Sequence, residues 1–137
     1  MNDNVFAIGK SNNIRIDTEV YYVGSFLNFH KGNSVVKIKF LEKDLLALSG
    51  YLLKAYYAGL KRFKTSDLSC MRLPGIKFKY CEAIIGLENL DYCAKIQFRS
   101  ADMLFELDLP IAKLPSLCQI VLESIREYEA YEGANAL

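Results

Sequence analysis

The sequence lacks the residues from which most recognisable active sites are built. It has one histidine, His30, so a histidine-rich metal site is excluded. The four cysteines, Cys70, Cys81, Cys93 and Cys118, contain no C-x-x-C pair and follow no zinc spacing. No metal and no other cofactor is therefore expected. Gly24, Gly32, Gly50, Gly59, Gly75 and Gly86 are isolated and form no phosphate loop. A G-x-S-x-G nucleophile turn is also missing. Carboxylates are plentiful, but nothing in their spacing pairs two of them for acid–base work. These absences argue against an enzyme.

Charge and long apolar runs are missing as well. The formal net charge is +1, so no global field pulls the chain toward nucleic acid or a membrane surface. No apolar run approaches the roughly 20 residues of a membrane-spanning helix. The start, Met1 to Phe6, has no basic stretch followed by an apolar core, as a secretory leader would. The expectation is a cytoplasmic protein with four reduced thiols. A Cys81–Cys93 disulfide is the alternative, and it would need an oxidising compartment.

What is present is a globular composition, 52% hydrophobic and 24% charged over 137 residues, which suits one domain. From Ile14 to Val23, Ile14, Ile16, Thr18, Val20 and Tyr22 alternate with Arg15, Asp17, Glu19 and Tyr21. This period of two predicts a half-buried strand. A shorter strand is expected at Val5 to Ile8. Past Gly32-Asn33, Val36, Ile38 and Phe40 alternate with Lys37 and Lys39. At Glu42 the period changes. Leu45, Leu48, Leu52, Tyr56, Gly59 and Phe63 predict a helix over 43–63, with Leu46, Leu53 and Leu60 widening its stripe.

Residues 64–75 carry no clean period and read as a connector ending in Pro74-Gly75. Then Ile76, Phe78, Tyr80 and Ile84 are expected to share one strand face. Ala94, Ile96 and Phe98 alternate with Lys95, Gln97 and Arg99. Met103, Phe105, Leu107 and Leu109 alternate with Leu104, Glu106 and Asp108. Phe98 and Phe105 must both face the core, which demands an even hairpin loop. That register sets Lys95 opposite Asp108 and Gln97 opposite Glu106. A second helix comes last, with Pro115 in its first turn, the stripe Leu117, Val121, Ser124, Ile125, Tyr128 and Tyr131, and Gly133 as its stop. The fold class is α+β, an antiparallel sheet with two helices, strands then helix given twice (βββα-βββα). The halves are 1–63 and 76–132, with helices on one sheet face or each on its own half.

Two single residues and two sets of residues carry functional expectations. His30 sits in what reads as a solvated loop. Glu82 falls on the apolar face of its strand, as a strand-end residue or as a buried carboxylate. Lys37, Lys39, Lys77, Lys79, Lys95 and Arg99 place six cations on one wet sheet face, a track for phosphates. The far side of the first helix carries Ala47, Gly50, Lys54, Ala58 and Lys61, flanked by Tyr51 and Tyr57. Small residues and tyrosines there suit an interface, so Tyr51, Lys54, Tyr57, Ala58 and Lys61 are candidate partner-binding residues.

Two resemblances bear on function. In size, lack of a leader and composition the chain resembles the small immunity proteins of bacterial toxin systems. This implies a cytoplasmic protein-binding module that covers a toxin's active site, or else pairs with a second copy of itself. In its strands-then-helix order, given twice, it resembles the Whirly and PUR single-strand binders, which implies the basic strand face as a nucleic-acid surface. The lysine–glycine–lysine–alanine–alanine signature of the Whirly group is absent.

Overall fold

The computed structural model describes residues 5–7, 13–63, 70–88 and 92–135. Four antiparallel strands come first: β1 (Val5–Ala7), β2 (Asn13–Tyr21), β3 (Gly24–Lys31) and β4 (Ser34–Leu41). Helix α1 is next (Glu42–Phe63). The second half has β5 (Cys70–Arg72), β6 (Ile76–Lys77), β7 (Glu82–Glu88), β8 (Cys93–Ser100) and β9 (Met103–Pro110). A short 3-10 turn, Ile111–Lys113, leads into α2 (Leu114–Asn135). The fold is α+β, with two antiparallel sheets in place of the one expected. They run β1-β2-β3-β4 and β5-β7-β8-β9, with β6 also paired to β7.

Each helix crosses to the other half's sheet, an arrangement that the periodicity did not predict. α2 lies on the first sheet: Thr18 Oγ1 donates to Glu127 Oε2 at 3.4 Å, and Tyr128 Oη donates to the Tyr22 carbonyl at 3.4 Å. α1 reaches the second sheet: Tyr51 Oη accepts the Ile85 N–H at 3.0 Å. Near its N-terminus, Asp44 accepts the Lys79 N–H at 3.0 Å, a carboxylate at the positive end of the helix dipole. The helices pair antiparallel. Ser49 receives the Cys118 thiol on its carbonyl, and Gly59 packs so tightly on Ile111 that a Cβ would stand 2.7 Å from it.

The inner faces of both sheets join one core. Ile14, Ile16, Leu27, Phe29, Ile38 and Phe40 come from the first sheet, and Ala83, Ile85, Leu87, Ile96, Phe98 and Leu107 from the second. Phe29 meets Phe105 and Phe98 at ring distances of 4.8 and 5.7 Å, which ties the sheets together. Each such large buried side chain contributes about 1.5–3 kcal/mol relative to exposure.

The hairpin register agrees with the alternation argument. Lys95 pairs with Asp108, Gln97 with Glu106, and Ser100 with Met103 around a two-residue loop. Other expectations change. Gly24–Lys31 is a strand, not a loop, so His30 lies on a sheet. The expected continuous strand from Ile76 is broken by a turn in which the Phe78 N–H bonds the Cys81 carbonyl at 2.8 Å. The turn shifts the phase, so Ala83 faces inward with Ile76, while Glu82 and Ile84 lie on the other face, where Ile84 is still buried. The C-terminal part of the connector is strand β5 on β7, while 64–69 lies outside the described residues. Helix α2 runs through Gly133, because glycine weakens a helix but stops it only where the chain must turn left-handed.

Candidate functional site

Both helices pack on inner faces, so the outer face of the first sheet is left to side chains alone. Strands β2, β3 and β4 set these in cross-strand rows: Arg15–His30–Val35, Asp17–Asn28–Lys37, Glu19–Phe26–Lys39 and Tyr21–Gly24–Leu41. Glycine is required in the last row, where a Cβ on Gly24 would stand 2.0 Å from the Phe40 carbonyl oxygen.

The Arg15 end of this face is a polar network centred on Asn28, which is only 3% exposed. Its Nδ2 donates to Asp17 Oδ1 at 3.0 Å and Glu19 Oε1 at 2.8 Å. Lys37 Nζ reaches the same Glu19 oxygen at 2.6 Å. His30 Nε2 stands 3.0 Å from Asp17 Oδ2, and Arg15 also pairs with that carboxylate. Burial raises the Asp17 pKa, but the hydrogen bond from Asn28, the adjacent His30 ring and the charge of Arg15 outweigh it, so the net shift is downward. Glu19 is held below its ordinary value by Lys37 first and Asn28 second. Two carboxylates kept ionised and already paired make a poor proton-accepting centre. His30 is half-buried and bound to this network, which corrects the expectation of a solvated loop residue.

The Tyr21 end of the face is aromatic and cationic. Tyr21 and Phe26 stand 5.0 Å apart. Lys39 Nζ lies 5.0 Å from the Tyr21 ring centroid and 4.9 Å from that of Tyr80. Tyr80 comes from the β6–β7 turn, so this contact joins the edge of the first sheet to the second half. Burial, and then the neighbouring Tyr80, push the Tyr21 hydroxyl up to about 12. Lys77 and Lys79 both precede Tyr80 in the chain. Among the described residues no ion pair involves Lys39, Lys77 or Lys79.

The six expected cations thus separate. They lie on two sheets and a turn instead of one face. Lys37 is neutralised by Glu19, Lys95 by Glu88 at 3.4 Å, and Arg99 by Glu82 at 3.0 Å. Glu82 is therefore an outward-facing ion-pair partner, not a carboxylate on an apolar face. Tyr51 is also corrected. It is buried, with its hydroxyl engaged by Ile85, because α1 lies against two surfaces at once. Lys54, Tyr57 and Lys61 are exposed and Ala58 is partly so.

Sequence reasoning overlooked Tyr21, Phe26 and Tyr80. The signal for Tyr21 was in its shared phase with Arg15, Asp17 and Glu19. Phe26 lay in the unrecognised strand, and Tyr80 was assigned inward by a phase that the turn interrupts. All four cysteines are free thiols, with Cys81 and Cys118 buried. No helix among the described residues is long and apolar enough to cross a membrane. The chain matches no protein-family model, and neither a curated protein nor a solved structure shows significant similarity to it.

Proposed function

We propose that this protein binds single-stranded nucleic acid along the Tyr21 end of the first sheet's outer face. The observation that carries this reading is Lys39 held between the rings of Tyr21 and Tyr80, with Phe26 beside them and, among the described residues, no carboxylate pairing the lysine. Ring faces accept any base by stacking, worth about 1–3 kcal/mol per base. Lys39, Lys77 and Lys79 supply charge for the phosphates. Asp17 lies beyond the path, and Glu19, in the row of Phe26 and Lys39, is paired to Lys37 and Asn28. The order of strands then a helix, given twice, is the order on which the resemblance to the Whirly and PUR single-strand binders rests.

The test is fluorescence anisotropy with a labelled 12-mer of thymidines over rising salt. Three phosphate contacts give a slope of log K against log salt of about −2, at roughly −0.7 per contact. Lys77→Glu with Lys79→Glu should abolish binding. No binding at low ionic strength would sink the proposal.

A second reading, an immunity-type inhibitor, is favoured by a different surface. The outer side of α1 leaves Leu46, Leu53 and Tyr57 exposed beside its lysines, and exposed leucines suit a protein partner. Its test is whether expressing the chain protects a cell from a toxin domain encoded beside it.

A further inference from the structure

The solvent side of α1 does not look like an ordinary wet helix face. Its exposed residues are Lys43, Leu46, Ala47, Gly50, Leu53, Lys54, Tyr57 and Lys61. Leu46 is 61% exposed, Leu53 36% and Tyr57 60%. With Gly50 these fall at successive spacings of four, three and four, the seam of a heptad repeat, which drives helix-on-helix packing. This seam is separate from the buried stripe of Leu45, Leu48, Leu52 and Ala55. Gly50 has no atom within 4 Å of where a Cβ would stand, so a second backbone has room to approach. Beyond the seam, Met71 from β5 joins Lys54, Tyr57, Ala58 and Lys61 around an apolar groove.

Charge decides what fits. At 100° per residue, Lys43, Lys54 and Lys61 line up along one flank of the seam. Among the described residues these three lysines are the charged residues of the exposed face, and none of its exposed residues is a carboxylate. The solvent side of α2, by contrast, mixes Glu123, Arg126, Glu127 and Glu129. A second copy docked antiparallel by a two-fold axis would set lysine flank against lysine flank. A helix carrying carboxylates along the matching flank would be drawn in. We infer that α1 docks an amphipathic helix of another protein, with an apolar seam and an acidic flank. This inference gives the second functional reading its chemistry and does not depend on nucleic-acid binding.

The experiment uses two designed 21-residue helical peptides with leucine at the seam positions. One has glutamate on both flanks, the other lysine. Binding to the full chain is measured by isothermal titration calorimetry, and the chain's own mass by sedimentation. The acidic peptide should bind at least tenfold tighter than the basic one. Leu53→Asp should lose it, as should Leu46→Lys, at a seam position 61% exposed, should Leu53→Asp impair folding. Lys54→Glu with Lys61→Glu should reverse the preference. Equal binding of both peptides, or binding of neither, overturns the inference. A dimer of the free chain that Leu53→Asp dissociates overturns it too, because the face would then belong to a second copy.

Discussion

The hydroxyl of Tyr51, on the first helix, accepts the backbone N–H of Ile85, on the second sheet, at 3.0 Å. The need for this bond comes from a gap in the sheet. On that edge of β7, β5 ends at Arg72 and β6 begins at Ile76. Within the gap the Leu73 N–H takes the Ile85 carbonyl at 2.9 Å, which leaves the Ile85 N–H for Tyr51. Tyr51→Phe keeps the ring and orphans a buried donor. The expected loss is about 1–3 kcal/mol in urea denaturation. A loss well under 1 kcal/mol would show that the bond does little to hold α1 on the sheet.

That bond also marks where sequence reasoning stops. Strands β2, β4, β8 and β9 were legible because one face of each is wet and the other dry. The same alternation gave the register of Lys95 with Asp108. Strand β3 was not legible, because Phe26 and Asn28 on its outer face are themselves partly or fully buried beside Leu27 and Phe29. The turn at Phe78–Cys81 breaks the alternation that begins at Ile76, which put Tyr80 and Ile84 on the wrong side. Exchange of the helices has no local signature at all. It depends on which apolar stripe finds which sheet, and so the burial of Tyr51 could not be read from its helix alone. In the site, Lys39 was identifiable as a wet-face cation, but its two ring partners come from a strand end and a turn far apart in sequence.

Asn28 donates to two carboxylates that lie below their ordinary values, Glu19 (4.5) lowered by Lys37 first and Asn28 second, and Asp17 (3.8) lowered, against burial, by Asn28, His30 and Arg15. A group with a depressed folded pKa adds stability above its unfolded pKa, and that share fades as pH falls through the folded value. Asn28→Ala should therefore cost stability at pH 7, and the gap from the parent chain should narrow below about pH 4. Denaturation curves at pH 7 and pH 3 check this. A gap of equal size at both pH values would mean that Asn28 acts by packing alone.

The thiols should separate by reactivity. Cys70 is exposed, while Cys81 is buried, with burial and then Asp44 pushing its pKa up to about 11. Burial raises the Cys118 thiol as well. The thiolate is the reactive form, so at pH 8 a disulfide reagent should label Cys70 quickly. Cys81 and Cys118 should wait for unfolding. Rapid labelling of all four positions in the native protein would contradict the packing around α1 and the β6–β7 turn.

Lys39 and Tyr80 touch each other, yet they should fail in different ways. Lys39→Gln removes one phosphate-binding charge and leaves a long side chain between the two rings. Affinity for a single strand should fall, and the salt slope should shrink by about 0.7. Tyr80→Leu removes a ring face and no charge. Affinity should drop by about 1–3 kcal/mol, with the salt slope unchanged. Because the two residues share one contact, the double variant should lose less than the sum of the singles. The measurement is anisotropy with the 12-mer of thymidines at four salt concentrations for parent, singles and double. If Tyr80→Leu changed the slope as Lys39→Gln does, the ring would be acting only to position the lysine, and stacking on bases would have to be abandoned at this site.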